Sequence, residues 1–319
     1  MTQPLYLTEA EVAELVTVKD AIDVLAETFA LWRDDGTTNL PRQRARLKAG
    51  SLNLMGAACE RKGIFGLKAY FAGKGGARYH VLLYAADGSG LMAMIEADHL
   101  GALRTGAASG LATKLLARND ARTLAVIGSG KQARTQVAAV CAVRPIQRVR
   151  VHSRNRENRT AFAFALADEL GVETEPVDSG EACVTGADVV VTITKSAEPV
   201  CRADWLTEGT HVNAAGANAA DRREVDAATV LRAAIRATDH RAQAEVEAAE
   251  FRDLVAAHKI SWGDVVELGD LVSGKTHGRR KLTDITLFKS LGIALEDIAF
   301  AELIYRRARD AKVGRPLVS

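Results

Sequence analysis

A glycine-rich segment follows a short apolar run near the middle of this 319-residue chain. Its residues are Gly128, Ser129, Gly130, Lys131, Gln132 and Ala133. In such a segment the first glycine permits a tight turn, the second lets backbone N–H groups approach a pyrophosphate, and a small third residue lets helix and strand pack closely. The anion would bind at the N-terminus of the next helix, where unpaired N–H groups favour negative charge. The strand pattern before the segment and the helix pattern after it therefore predict a dinucleotide-binding site.

The end of the following strand-like run predicts which coenzyme is used. A carboxylate at that position would bind the 2′-hydroxyl of NAD. The sequence instead places Ser153, Arg154, Asn155 and Arg156 there, and a hydroxyl with two guanidinium groups suits a 2′-phosphate. We therefore expect NADP(H), with NAD(H) open as an alternative; the arginines would otherwise be only the solvated start of a helix over 157–170. Thr105 and Thr192 complete the predicted cofactor-binding set.

Composition favours a globular protein with two lobes, since 319 residues exceed what one core usually covers. A net charge of +2 is too balanced for a general nucleic-acid or membrane surface. The four cysteines are scattered, without Cys-x-x-Cys or histidines at ligand spacing, so neither a metal site nor a disulfide framework is expected. No targeting leader or membrane span is apparent, and we expect a cytoplasmic protein.

The elements that must position these residues fall into two groups. Short apolar runs over 52–55, 66–71, 81–86 and 91–96 predict an antiparallel sheet, with a helix before it and a hairpin turn at 87–90. A helix of small residues over 105–118 leads into the glycine-rich segment, and its lack of bulk permits close backbone approach. Strand patterns at 173–177, 188–194 and 209–215 then alternate with helical stretches, which favours a parallel sheet.

The predicted fold class is therefore α/β. It consists of a Rossmann-type doubly wound parallel sheet and an N-terminal α+β lobe, joined by the C-terminal helix. We place the dinucleotide-binding domain at 119–285. The N-terminal lobe covers 1–118, and residues 286–319 return to it.

Four sequence blocks carry a resemblance that covers nearly the whole chain. They are Leu-Arg-Thr-Gly-Ala-Ala-Ser at 103–109, the segment at 128–133, Val-Asn-Ala-Ala-Gly at 212–216, and Thr-Leu-Phe-Lys-Ser-Leu-Gly at 286–292 with Glu296 and Asp297. In these blocks the chain resembles the ornithine cyclodeaminase/mu-crystallin family. The resemblance implies a homodimer in which the N-terminal lobe binds substrate and makes the dimer contact. Its members include ornithine cyclodeaminases, archaeal-type alanine dehydrogenases and ketimine reductases.

The resemblance also implies a substrate site for a small molecule carrying a carboxylate and a nitrogen on one carbon. Arg104 resembles the family's carboxylate-binding arginine, and Arg44 or Arg42 lies in the block of a second one. Arg42, Arg44 and Arg46 alternate, so strand parity cannot separate them. Lys68 matches the family's active-site lysine, and two nearby arginines would lower its pKa toward neutrality. A solvated basic strand is the alternative for these residues. Asp297 resembles a recurrent family acid, with helix capping as its alternative.

One departure from the cyclodeaminase pattern decides the predicted activity. Asn218 stands where cyclodeaminases carry an aspartate that manages protons, and a carboxamide cannot act as a base. Asp221 lies three residues further on and is expected to cap the next helix. We therefore expect Asn218 to bind substrate in an NAD(P)H-dependent reductase of a small α-imino acid, such as pyrroline-2-carboxylate, or in an amino-acid dehydrogenase. The alternatives are an ornithine cyclodeaminase and a mu-crystallin-like NADPH and ligand-binding protein.

Overall fold

The computed structural model describes residues 3–317, and the chain forms two compact units. One comprises the residues up to Arg104 together with those from Ile293 onward, and the other is Thr105–Gly292. The first division lies before the boundary expected at 118, because the small residues that follow it pack within the second unit. A Cβ on Gly106 would lie 2.4 Å from the carbonyl oxygen of Thr135, so only glycine allows this approach.

The strands and helices are numbered in chain order. The strands are β1 Leu5–Leu7, β2 Thr37–Leu47, β3 Gly50–Cys59, β4 Ile64–Gly73, β5 Gly76–Ala85, β6 Gly90–Glu96, β7 Thr123–Ile127, β8 Arg148–His152, β9 Glu173–Pro176, β10 Val189–Thr192, β11 His211–Ala214, β12 Ile235–Thr238, β13 Val265–Glu267, β14 Thr286–Lys289 and β15 Arg315–Pro316. The helices are α1 Glu9–Leu15, α2 Val18–Ala30, α3 Asp98–Leu116, α4 Lys131–Val143, α5 Arg156–Leu170, α6 Gly180–Val184, α7 Ala227–Arg232, α8 Arg241–Glu247, α9 Ala249–Ala256, α10 Leu268–Val272 and α11 Ala294–Ala311.

The first unit is a seven-stranded sheet with helices on one face. Its strand order is β15-β1-β6-β5-β4-β3-β2, and β2 to β6 form a continuous antiparallel meander. Helix α11 packs on β3, β4 and β5 and also contacts α2. A β-bulge between Leu40 and Gln43 interrupts the pairing of β2 with β3, so the edge strand carries a local irregularity where its basic residues begin.

The two faces of this sheet differ in their covering. On the face toward α11, side chains such as Met55 and Val81 are buried. On the opposite face large apolar side chains are exposed by more than a third of their surface, among them Leu40, Leu52, Leu54, Phe65 and Phe71. The strand registers place Leu52 beside Phe71 on neighbouring strands. This outer face, defined by these five residues, exposes more apolar surface than single scattered side chains would.

The second unit contains an eight-stranded sheet in which every pairing is parallel. Its order is β13-β12-β14-β11-β10-β7-β8-β9. Alternate residues of β7 enter different apolar clusters: Leu124 and Val126 pack in one, Ala125 and Ile127 in the other. A strand that is buried on both sides indicates helices on both faces of the sheet. The predicted Rossmann-type parallel sheet and antiparallel N-terminal sheet are confirmed.

No helix among residues 3–317 combines the length and the apolar character that a bilayer crossing requires.

Candidate active site

Lys68 lies in the middle of β4, one of the central strands of the first unit. Its side chain projects to the face covered by α11 and is only 4% exposed, whereas the neighbouring Phe71 projects to the outer face. The Nζ atom of Lys68 donates a hydrogen bond of 2.9 Å to Oδ1 of Asp297 in the first turn of α11. The same ammonium lies 5.0 Å from the ring centroid of Tyr79, a cation–π distance. The lysine is therefore a buried charge held by an acid and an aromatic ring.

Arg104 joins the same cluster through two carboxylates. Its Nε donates to Oδ1 of Asp297 at 2.9 Å, and its Nη1 donates to Oε2 of Glu296 at 2.8 Å. All three side chains are nearly or fully buried. A guanidinium bound on two sides by carboxylates keeps a fixed orientation. Arg104 is thus oriented chiefly by α11, and its predicted contact with a substrate carboxylate stays a prediction.

The charges in this cluster shift one another's pKa values. Burial lowers the pKa of Lys68, Asp297 opposes the shift, and the positive charges of Arg104 and Arg42 add to it, so that its pKa lies at about 8. Burial would raise the pKa of Asp297, but Arg104 and Lys68 outweigh it, and the pKa lies below its ordinary value. Desolvation alone would lower the pKa of Arg104, but the negative charges of Asp297 and Glu296 outweigh it, and the pKa lies above its ordinary value. Lys68 is therefore the member of the cluster that can exchange a proton near neutral pH.

The strand β2 separates its alternating arginines by burial. Arg42 is 5% exposed, and its Nε lies 3.3 Å from the sulfur of Met55, which pairs with Lys68 across the strands. Arg44 and Arg46 are exposed, and the Nε of Arg44 donates to Oδ1 of Asn53 at 3.1 Å. Strand parity cannot make this distinction, because all three arginines share one face; burial in the folded chain does.

The glycine-rich segment forms the turn between β7 and α4. Gly128 has φ +125°, and a Cβ there would lie 2.5 Å from the carbonyl oxygen of Ile193. Gly130 is the N-cap of α4, with open space where a Cβ would stand. Lys131 and Gln132 follow as exposed residues of the first turn, and Ala133 is buried. The unpaired backbone N–H groups at the N-terminus of α4 and the open space at Gly130 fit a pyrophosphate.

The end of β8 lies beside this turn, as the parallel pairing of β7 and β8 requires. The hydroxyl of Ser129 donates to that of Ser153 at 2.9 Å. Arg154 is exposed. Asn155 caps α5, since its Oδ1 accepts the backbone N–H of Asn158. Arg154 thus has an exposed guanidinium at the predicted adenosine-ribose position, while the oxygen of Asn155 is already used by the helix.

Two threonines of the predicted cofactor set occupy buried positions. Thr192 ends β10, and its Oγ1 has no hydrogen-bond partner within residues 3–317. An orphaned buried hydroxyl at the carboxyl end of a parallel strand fits a bound polar ligand. The carbonyl oxygen of Thr105 accepts a hydrogen bond from Gln136, so this residue anchors α3 to α4.

Asn218 lies in the loop after β11 and is partly buried. The helix-capping prediction for Asp221 is wrong, because α7 is capped by Asp226, whose carboxylate accepts the backbone N–H of Thr229. Asp221 is exposed in a turn five residues earlier. Asp226 directly precedes α7, so its side chain can reach the unpaired backbone N–H groups of the first turn.

Sequence reasoning missed the role of Glu296 and left that of Asp297 open. Both lie in the first turn of α11, which begins at Ala294. Asp297 does not cap the helix but pairs with Lys68 and Arg104. Two adjacent acids in an otherwise apolar stretch were the available signal, since such a stretch is expected to be buried and buried carboxylates require partners.

Comparison with known proteins then identifies the family. The family model described as "Ornithine cyclodeaminase/mu-crystallin family" matches residues 2–312. The chain belongs to this family. It is 34% identical over 224 residues to Δ1-pyrroline-2-carboxylate reductase of Bacillus cereus, and the aligned region covers 70% of this chain and 69% of that relative.

Two solved structures extend the likeness to three dimensions. The Thermococcus litoralis Δ1-pyrroline-2-carboxylate reductase in complex with NADH and L-proline has a TM-score of 0.93 and 30% identity, covering 98% of this chain and 99% of that one. An archaeal alanine dehydrogenase dimer with bound NAD has a TM-score of 0.92 and 30% identity, covering 98% of each chain. The predicted family and its fold are confirmed over nearly the whole chain.

Proposed function

We propose that this protein is an NAD(P)H-dependent reductase of small α-imino acids, which in the reverse direction oxidises the corresponding amino acid. The observation that carries this proposal is the buried Lys68, which has a pKa of about 8 and lies among Asp297, Arg104 and Arg42. A proton donor with a pKa near neutrality suits a reaction in which a substrate nitrogen gains a proton. The relative solved with NADH and L-proline supports a cyclic imino acid such as pyrroline-2-carboxylate as substrate.

Each cation has a proposed task in this reaction. Arg42 binds the substrate carboxylate, because a guanidinium offers two parallel N–H groups to it. Arg104, held by α11, contributes a second positive charge. Arg44 lies two residues beyond Arg42 on β2. Lys68 holds a proton on Nζ and gives it to the imine nitrogen. A protonated imine accepts hydride far more readily than a neutral one, and the nicotinamide supplies that hydride when bound.

The coenzyme would be held by the turn at 128–133, with its pyrophosphate at the N-terminus of α4. NAD(H) binding is supported by two relatives that were solved with NADH or NAD. A preference for NADP(H) is our further proposal. It is supported by the exposed Arg154 and by the absence of an acid at 153–156.

We further propose that a second copy of the chain covers the outer face of the first unit's sheet. The five exposed side chains of that face form an apolar surface of the kind that marks protein–protein contacts. A relative was solved as a dimer. The surface that covers it is the same sheet face of the second copy, since the two subunits of a homodimer commonly contact each other through the same patch.

One assay tests the proposed activity. Purified protein is mixed with NADPH or NADH and pyrroline-2-carboxylate, and separately with ornithine and NAD, while absorbance at the nicotinamide band and released ammonia are followed. Coenzyme oxidation with the imino acid and no ammonia from ornithine is the expected result. Ammonia from ornithine would establish a cyclodeaminase instead. Coenzyme binding without turnover in either mixture would establish a mu-crystallin-like binding protein.

A further inference from the structure

Glu224 is a fully buried carboxylate whose two oxygens bind two different loops of the second unit. Its Oε1 accepts the backbone N–H of Thr194 at 2.6 Å and the hydroxyl of Thr194 at 2.8 Å. Its Oε2 accepts the backbone N–H groups of Gly216 at 2.6 Å and Ala217 at 3.0 Å. Four donors therefore converge on one side chain, whose two carboxyl oxygens offer enough acceptor sites for all of them.

The two loops leave neighbouring parallel strands at their carboxyl ends. Thr194 follows β10 by two residues, and Gly216 follows β11 by two residues. They touch directly, because a Cβ on Gly216 would lie 2.2 Å from the backbone nitrogen of Thr194. Ligands of doubly wound sheets bind outside this edge. Glu224 thus joins the two loops at the edge where a ligand is expected.

The loop after β10 also contacts the glycine-rich turn. The backbone N–H of Ile193 donates to the carbonyl oxygen of Ile127 at 2.9 Å. The carbonyl oxygen of Ile193 occupies the space that a Cβ on Gly128 would need. A displacement of Thr194 would therefore move its neighbour Ile193, and Ile193 limits the position of the turn at Gly128.

Glu224 is itself held on its other side. Its backbone N–H donates to Oε1 of Glu250 at 3.1 Å, and the same oxygen accepts Nζ of Lys289 at 3.0 Å. The side chains of Glu250 and Lys289 are each 1% exposed. The backbone carbonyl of Glu224 accepts N–H groups from Val200 and Cys201. The backbone of Glu224 is therefore anchored to the segment at Val200 and Cys201 and, through Glu250, to the end of β14.

We propose that Glu224 is a positioning residue of the dinucleotide site, which fixes the loops at Thr194 and Gly216 and through Ile193 the turn at Gly128. This inference rests on the proposed binding of a dinucleotide at that turn. It assigns to Glu224 no contact with coenzyme or substrate. Its consequence is that the affinity for coenzyme depends on the carboxylate of a residue that does not touch it.

The test compares Glu224→Gln with Glu208→Gln, an exposed glutamate of the same unit. A glutamine has one acceptor oxygen and would turn an NH₂ group toward backbone N–H groups. NADH and NADPH binding is measured by nicotinamide fluorescence at a temperature below the measured unfolding transition of each variant. We expect the Kd of the preferred coenzyme to rise about tenfold or more in E224Q and to stay unchanged in E208Q. Amide hydrogen exchange at Thr194, Gly216 and Ala217 should become faster.

A second pair of variants keeps the test decisive if E224Q does not fold. Thr194→Val removes only the hydroxyl donor, and Thr194→Ser retains it. We expect a severalfold higher Kd for T194V and a value near that of the original protein for T194S. Folded variants with unchanged Kd, even if they melt at lower temperature, would overturn the inference alone. Failure of the unmodified protein to bind either coenzyme would overturn the proposed dinucleotide site, and the inference with it.

Discussion

The Nζ atom of Lys68 and the Oδ1 atom of Asp297 lie 2.9 Å apart, although 229 residues separate them in the chain. Neither side chain is exposed by more than 4%. A buried ion pair costs desolvation free energy on both partners, so it is weak grounds for a role in stability alone. Arg104 donates to the same carboxylate oxygen. Asp297 therefore offsets the desolvation of Lys68 less than a carboxylate bound to Lys68 alone would. Burial lowers the pKa of Lys68 most, and the positive charge of Arg104 lowers it further.

Replacing Lys68 by methionine should remove the proton donor while keeping the length of the side chain. We expect kcat/KM for imine reduction to fall by roughly 10²- to 10⁴-fold, the usual contribution of a general acid. NADH binding should be unchanged, because the lysine belongs to the proposed substrate site. Steady-state kinetics and coenzyme fluorescence provide the two measurements. Lys74→Met, in the exposed turn between β4 and β5, is the control. A K68M enzyme with normal kcat/KM would exclude Lys68 as the donor.

The pH dependence should follow the pKa of Lys68, which is about 8. The protonated form gives the proton in reduction, so log kcat/KM for the imino acid should be level below this pH and fall with a slope approaching −1 above it. The neutral amine takes the proton in the reverse direction, so amino-acid oxidation should rise through the same range. A reduction rate that increases between pH 8 and 9.5 would contradict this assignment. The K74M variant should reproduce the unmodified profile.

Arg42 and Arg46 differ in burial on the same face of β2, and this difference predicts different effects. Arg42→Gln should raise KM for the imino acid by roughly 10- to 100-fold, since charge-assisted hydrogen bonds contribute about 1.5–3 kcal/mol. Arg46→Gln should leave KM within about twofold because its side chain is exposed. Initial rates over a range of imino acid concentrations measure both values. Equal KM values for the two variants would show that burial on this strand does not select the carboxylate ligand.

Arg154 should determine part of the coenzyme preference. Arg154→Gln removes a guanidinium from the predicted 2′-phosphate position, and we expect the Kd of NADPH to rise about tenfold. NADH has no 2′-phosphate, so its Kd in the same variant is the internal control and should not change. Fluorescence titrations with both coenzymes measure this. A parallel loss of affinity for both would indicate damage to the turn rather than loss of a phosphate contact.

Leu54→Asp places a charge in the middle of the outer face of the sheet. Burying an unpaired carboxylate in an apolar contact is costly, so we expect this variant to be monomeric where the unmodified protein is dimeric. Light scattering coupled to size-exclusion chromatography gives the molar mass. Leu282→Asp, at a leucine of the second unit that is 74% exposed, should not change it. A dimeric L54D protein would show that another surface makes the contact.

The second unit was largely predictable from sequence. Each β-strand with its turn and helix is a local unit, and the residues 128–133 occupy the turn that their spacing predicts. The capping box of Thr8 and Glu11 at α1 is local in the same way, since its partners lie three residues apart. Element ends differed by a few residues, as with α3, whose first turns precede the predicted start at 105.

The candidate site in the first unit was predictable only in part. Strand alternation placed Lys68 on the face opposite Leu67 and Ala69, and the structure agrees. It could not separate Arg42 from Arg44, because both project to one face and only packing in the folded chain decides which is buried. The pairing of Arg104 with Glu296 was also out of reach, since no local rule links side chains that are 192 residues apart.

The amino-acid sequence by itself determined the family, the α/β class and the types of charged side chain available, because periodicity and motif spacing are local properties of a chain. Only the tertiary structure decided how those charges are paired. The packing of α11 on the sheet brings Glu296 and Asp297 to Lys68 and Arg104, and a loop contact makes Glu224 the common acceptor of two strand ends. Pairing depends on burial and on distances between remote segments, and these arise only when the chain is folded.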